Sequence, residues 1–205
     1  GSLYAAGNVT HEYSNAPGGK YPSTSGAFQV NPAGFVGTSG PYGFFQCDMA
    51  ISKYDSSGKN LLWATYLGGT DNDYPNSLVV DAENRLLVLG STYSADFTID
   101  TLAYDTLHGG KSDIVVVKFS FDGSALLGST FVGGPNDDGV LDNTGLVFNY
   151  ADNYRGDIQV ARNGDVFFAS STKSDTGIFI APDAIQLKNN GGYDGLLVQL
   201  DSSLT

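Results

Sequence analysis

The sequence predicts an all-β chain made of four-stranded antiparallel units set side by side around an axis. Three observations carry this expectation. Residues 61–73, LLWATYLGGTDND, return as LLGSTFVGGPNDD at 126–138, so the chain repeats itself at a spacing of 65 positions. The repeated runs are short, rich in Val, Ile, Leu, Phe and Tyr, and bounded by Gly, Asn, Asp or Ser, which is the pattern of strands between tight turns. Runs such as Ile114-Val115-Val116-Val117 are apolar at successive positions, so both faces of their sheet must be covered. Sheets stacked face to face around an axis satisfy that demand, and the architecture is a β-propeller with one four-stranded blade per repeat.

Composition agrees with strands rather than helices. The 205 residues include 27 Gly, 12 Tyr and 12 Phe but only 16% charged residues, and 41% are hydrophobic, enough for a sizeable core.

Each element can be placed in order. The middle unit, 77–138, is complete: a first strand at 77–82, a second at 86–92, a third at 113–120 and a fourth at 126–132. DMAISKYDSSG (48–58), DIVVVKFSFDG (113–123) and DGLLVQLDSSL (194–204) are three copies of the third strand and its turn. LYAAGNV (3–9), LLVLGST (86–92) and VFFASST (166–172) are copies of the second strand, and SLVVDAEN (77–84) matches DIQVARNG (157–164) as the first. Even a linker is echoed, as GAFQ (26–29), LAYD (102–105) and DAIQ (183–186). The expected division is therefore a first unit over 1–76 without its innermost strand and with a long insertion at 8–47, the complete unit, an insertion at 139–156, and a third unit over 157–205 without its outermost strand. That makes about two and a half blades, fewer than the roughly four to eight that close a propeller, so the expectation is a segment completed by other blades.

Taken together, LLWATYLGGTDND, DIVVVKFSFDG, VDAEN (80–84) and the glycines Gly7 and Gly90 resemble the SBBP beta-propeller repeat of bacterial secreted and surface proteins. Ser170 stands where that glycine falls in the third unit. The resemblance implies a propeller module of a family with no single assigned activity, in a large exported protein of the kind common among type IX secretion cargo in Bacteroidota, some of it linked to gliding and adhesion.

Charge and motifs narrow the function. With 10 Lys plus Arg against 22 Asp plus Glu, a net charge of −12 disfavours nucleic acid and anionic lipid. No apolar run is long enough to span a membrane, and no signal peptide opens the sequence. Cys47 is the single cysteine, so there is no intrachain disulfide. His11 and His108 are isolated in loops, and neither an HExxH pattern nor a G-x-S-x-G elbow is present. Trp63, Tyr4, Tyr54 and Tyr66 fall on strands and read as core.

Three groups of residues remain as candidates. Asp71 and Asp73, with Asp137 and Asp138, follow the doubled glycines and offer hard oxygen ligands for Ca2+. Thr101 and Thr106 each sit in D-T-L, similar to an acceptor sequence for bacterial O-glycosylation, and Asn8-Val9-Thr10 fits the N-x-S/T pattern. The long loops, between second and third strands and between units, fall at one end of the strands and form the expected surface for a protein or glycan partner. The leading reading is a non-catalytic scaffold or adhesion module. The rivals are a carbohydrate-binding or carbohydrate-cleaving propeller and a subunit of an outer-membrane assembly.

Overall fold

The computed structural model describes residues 1–10, 21–33, 46–141, 153–154 and 156–205. Among them every regular element is a strand: β1 (Leu3–Thr10), β2 (Cys47–Tyr54), β3 (Leu61–Leu67), β4 (Asp73–Val80), β5 (Leu86–Thr92), β6 (Asp113–Phe119), β7 (Leu126–Val132), β8 (Asp157–Val160), β9 (Val166–Thr172) and β10 (Asp194–Leu200). No helix long and apolar enough to cross a membrane occurs among the described residues.

The strands form three antiparallel sheets, ordered β1-β2-β3, β4-β5-β6-β7 and β10-β9-β8. This is the architecture of a partial β-propeller. β4 begins at Asp73, four residues ahead of the apolar run that marks it in the sequence, because Asp73 already pairs with Thr92 and a bulge at Pro75–Ser77 absorbs the irregular start. A second bulge recurs at the same place in two sheets, after Lys53 and after Lys118.

Alternation decides which residues meet. On one face of the middle sheet Leu86, Val88, Val115, Val117, Phe119 and Phe131 pack against Met49, Ile51, Trp63 and Leu67 of the first sheet. On the other face Leu87, Leu89, Ile114, Val116 and Val132 pack against Ile158, Val166, Phe168, Leu200 and Leu204 of the third. Every residue of β5 and β6 is buried as a result, which is why their sequences read as continuous apolar runs rather than alternating ones. Burying a Val, Leu or Phe from water is worth about 1.5–3 kcal/mol, so each interface is a substantial part of the stability of both sheets it joins.

The echoed linker turns out to be structural. Residues 24–29 lie along the outer edge of β3, with Thr24 N–H donating to Ala64 O at 2.9 Å and Tyr66 N–H to Gln29 O at 2.9 Å. Residues 100–105 do the same for β7: Asp100 N–H donates to Ser129 O at 3.2 Å and Phe131 N–H to Asp105 O at 3.1 Å. Thr65 and Thr130 hydroxyls back these contacts by donating to Gln29 O and Asp105 O. Each strap covers a sheet edge that would otherwise offer unpaired peptide groups to another chain.

Candidate functional site

The aspartates after the doubled glycines organise the junctions between sheets. Asp73 is fully buried. Its Oδ2 accepts from Gly69 N–H at 2.8 Å and from the Ser94 hydroxyl at 2.9 Å, and its Oδ1 accepts from the Thr92 hydroxyl. Asp138 repeats the arrangement with Gly134 N–H at 2.7 Å, Ser174 Oγ at 2.8 Å and Thr172 Oγ1 at 2.5 Å. The serines in turn accept the N–H of Asp71 at 2.9 Å and of Asn136 at 3.0 Å. Each clasp therefore fastens the connector leaving one sheet to the end of the second strand of the next.

A second buried carboxylate stands beside each clasp. A Cβ on Gly68 would lie 2.6 Å from Asp73 Oδ2 and 2.8 Å from Asp48 Oδ1, and one on Gly133 would run into Asp113 with Asp138 Oδ2 3.1 Å away. The first glycine of each pair is needed because any side chain would collide with these carboxylates, not because of its backbone angle. Asp113 Oδ2 accepts from Gly109 N–H at 2.7 Å, and Oδ1 has no hydrogen bond. Burial pushes the Asp73 carboxyl up to about 7, against the lowering effect of its hydrogen bonds, with a further upward push from Asp48. Burial likewise raises Asp113 to about 6. Removing a carboxylate from water favours its neutral form, and a second carboxylate nearby adds to that.

The four aspartates expected as Ca2+ ligands are thus not gathered around one point. Asp73 and Asp138 face hydroxyl and amide protons, which occupy the lone pairs a cation would take. Asp71 Oδ1 accepts from Asn72 N–H at 2.8 Å, and Asp137 lies 3.5 Å from Lys111 Nζ. Among the described residues no group of three or more His, Cys, Asp or Glu side chains is placed to hold a metal ion. Thr101, on the β7 strap, and Thr106, just after it, are both exposed, each following an aspartate whose Oδ1 accepts the N–H of the leucine two residues on, at 2.9 Å for Leu102 and Leu107 alike. His108 stacks edge-on against Phe131 at 5.6 Å, whereas His11 lies outside the described residues, as do parts of both insertions.

Thr92, Ser94, Thr172 and Ser174 carry no mark as functional residues in the sequence reading. The signal was present, since STYS (91–94) and STKS (171–174) recur at the end of equivalent strands. The first sheet has Val9 where Thr92 falls in the second.

An open trough of about 390 Å3 lies on the first sheet, lined by Ala5, Gly7, Asn8, Tyr21, Ala50 and Ser52 among others. It exists because side chains there are short: Ala5, Ala50 and Ser52 stand where the second sheet has Val88, Val115 and Val117. Tyr21 forms one wall, sharing a 2.6 Å hydrogen bond with Ser52 Oγ and stacking edge-on with Tyr66 at 5.1 Å.

Stacked antiparallel sheets, clasped connectors and edge straps define a propeller-type repeat module. The SBBP family model, described as a beta-propeller repeat, matches residues 62–98, from β3 through β4 and β5 into the following loop. No curated protein matches the chain.

Proposed function

We propose that the chain is a non-catalytic propeller scaffold within a secreted or surface-displayed bacterial protein, of the type IX secretion and gliding-associated kind, presenting its long loops to a protein or glycan partner. The observation that carries this reading is where the acidic chemistry sits. The carboxylates with raised affinity for protons, Asp73 and Asp113, are buried between sheets and act on neighbouring backbone and hydroxyls, out of reach of a substrate. Large insertions on a rigid frame suit recognition. Thr101 on the β7 strap and Thr106 just after it, both exposed, are the proposed O-glycan acceptors. The test is glycan-array and pull-down binding alongside a polysaccharide-cleavage assay: binding without product release supports the scaffold. Product release that disappears on mutating one exposed carboxylate overturns it.

The trough favours a second reading, glycan binding on the first sheet. A tyrosine wall, a floor of Ala and Gly, and Asn8 and Ser52 as polar groups suit a sugar ring, whose apolar face stacks on an aromatic while its hydroxyls bond to the rim. Tyr21→Ala should abolish glycan binding and, because it also loses the Ser52 hydrogen bond and the Tyr66 ring contact, lower the melting temperature while keeping a cooperative melt; retained binding removes this reading.

A further inference from the structure

The connector from β7 to β8 is pinned to the frame where it leaves and where it returns. Gly139 N–H donates to Ser171 O at 2.8 Å, and Gly139 O accepts from the Ser91 hydroxyl at 2.7 Å. Leu141 N–H donates to Asn153 O at 2.7 Å, so the outgoing and returning chains are held side by side. The next residue, Tyr154, lays its ring on Tyr74 of β4, with centroids 3.9 Å apart and planes 19° from parallel. Tyr93, just past the end of β5, meets Tyr74 edge-on at 6.4 Å. All three tyrosines are half-buried.

Aromatic pairs ordinarily settle offset or edge-on, with centroids about 4.5–7 Å apart. The other tyrosine–tyrosine contacts among the described residues follow that rule, Tyr21 with Tyr66 at 69° between planes and Tyr74 with Tyr93 at 80°. Tyr74 and Tyr154 overlap face to face instead, and their hydroxyls are hydrogen-bonded. Burial raises the Tyr74 phenol above its ordinary value, so its ring is neutral at pH 7 and carries no charge into the stack. The overlap has a chemical consequence. Two ring radicals join carbon to carbon where their π faces meet, because the new bond forms between p orbitals aimed at one another; edge-on rings present C–H bonds instead.

We propose that Tyr74 and Tyr154 form an oxidative cross-link site, at which a dityrosine bond fastens the β7–β8 connector to β4. The inference stands on the ring geometry and goes beyond the scaffold reading. Each phenol gives one electron to a one-electron oxidant, of the class of peroxide-derived radicals, and its proton to water. The two phenoxyl radicals join through a ring carbon ortho to each hydroxyl, and the hydrogens on those carbons then pass to the phenol oxygens. Two tyrosines and two oxidant equivalents thus yield one carbon–carbon bond, two restored hydroxyls and two protons. The bond closes a covalent loop over residues 74–154, which holds β5, β6 and β7, and so it restricts the unfolded chain far more than the folded one.

The test exposes the dilute 205-residue chain to photolysed ruthenium tris-bipyridine with persulfate, a source of one-electron oxidant. Expected are dityrosine fluorescence in the monomer, a mass lower by two hydrogens, peptides of Tyr74 and Tyr154 joined to each other, and a melting temperature raised by about 5 °C or more. Tyr154→Phe keeps a ring in the stack but cannot form a phenoxyl radical, so it should abolish the link and retain a cooperative melt. Tyr93→Phe should leave the link in place. A link that maps to Tyr21 and Tyr66, or to Cys47, whose thiol bonds to the Tyr74 hydroxyl, overturns the proposal. So does one that forms only between chains, one that persists in Tyr154→Phe, or a mapped Tyr74–Tyr154 link that leaves the melting temperature unchanged. Should Tyr154→Phe fail to fold, the peptide map of the parent chain decides alone.

Discussion

Leu204 fills the space above Gly128: a Cβ on that glycine would lie 3.4 Å from Leu204 Cδ1. One junction earlier the same two positions are reversed, because Trp63 stands at the place of Gly128 and Gly123 at the place of Leu204. A Cβ on Gly123 would come within 2.5 Å of the Trp63 ring. The turn position calls for a left-handed backbone, with φ +70 at Gly58 and +69 at Gly123. Leu204 accepts that conformation at φ +68 and is completely buried, so its packing on the third sheet's neighbour offsets the strain.

This reversal predicts coupling. Gly128→Trp alone should destabilise by about 1–3 kcal/mol through overpacking against Leu204. Combined with Leu204→Gly, which restores the pairing of the earlier junction, the loss should be smaller than the two single changes added together by at least about 1 kcal/mol. Urea denaturation of the four proteins in the cycle measures it; simple additivity would show that the two side chains do not share the space.

The clasp gives a second prediction. Thr92→Val keeps the shape of the side chain but removes the hydroxyl that Asp73 Oδ1 accepts from, leaving a fully buried carboxyl oxygen without that donor. The expected loss is about 1–3 kcal/mol by chemical denaturation. Thr172→Val should cost somewhat less, because Asp138 Oδ1 also accepts from Lys173 N–H at 3.3 Å.

Much of this frame was legible in the sequence. The spacing of 65 residues and the doubly apolar runs announce stacked sheets, and strands β5, β6 and β7 fall where those runs lie. The clasps were not legible, since an aspartate after two glycines reads equally as a turn cap, a metal ligand or a buried acceptor until its partners are placed. Thr92 and Ser94 are 19 and 21 residues from Asp73, and only the β4–β5 pairing brings them to it. The straps appeared as an echoed linker, but their contact with β3 and β7 depends on edge geometry that composition does not encode. The Leu204 substitution at a glycine position was visible in the aligned turns, yet its compensation by Gly128 involves a residue on another sheet.

Acid and alkali should act in opposite directions on two sets of carboxyls. Asp73 and Asp113 have values raised from 3.8 to about 7 and about 6, so the folded chain holds protons that the unfolded chain releases. Their contribution is complete below about pH 4 and is lost as pH rises through 6 to 7. Asp55 and Asp122, in exposed turns, are lowered to about 2 by hydroxyl, side-chain amide and backbone donors, and their contribution is lost only as pH falls from 3.8 toward 2. The melting temperature should therefore decline between pH 4 and pH 8, and Asp113→Asn, which keeps an acceptor for Gly109 N–H, should flatten that decline. A slope unchanged by the substitution would remove Asp113 from the account.

Calcium offers the last test. A binding loop must aim several oxygens at one point, and it loses stability when the ion is removed. Here Asp73 and Asp138 belong to different junctions and each is surrounded by hydroxyl and amide donors, while Asp137 sits 3.5 Å from the Lys111 ammonium. Seating a cation at either clasp would require Thr92 and Ser94, or Thr172 and Ser174, to turn their protons away together. Thermal melts in excess Ca2+ and in excess chelator should therefore superimpose. A rise of several degrees with Ca2+ that disappears in Asp71→Asn or Asp137→Asn would show that these aspartates bind the ion through a rearrangement of the clasp.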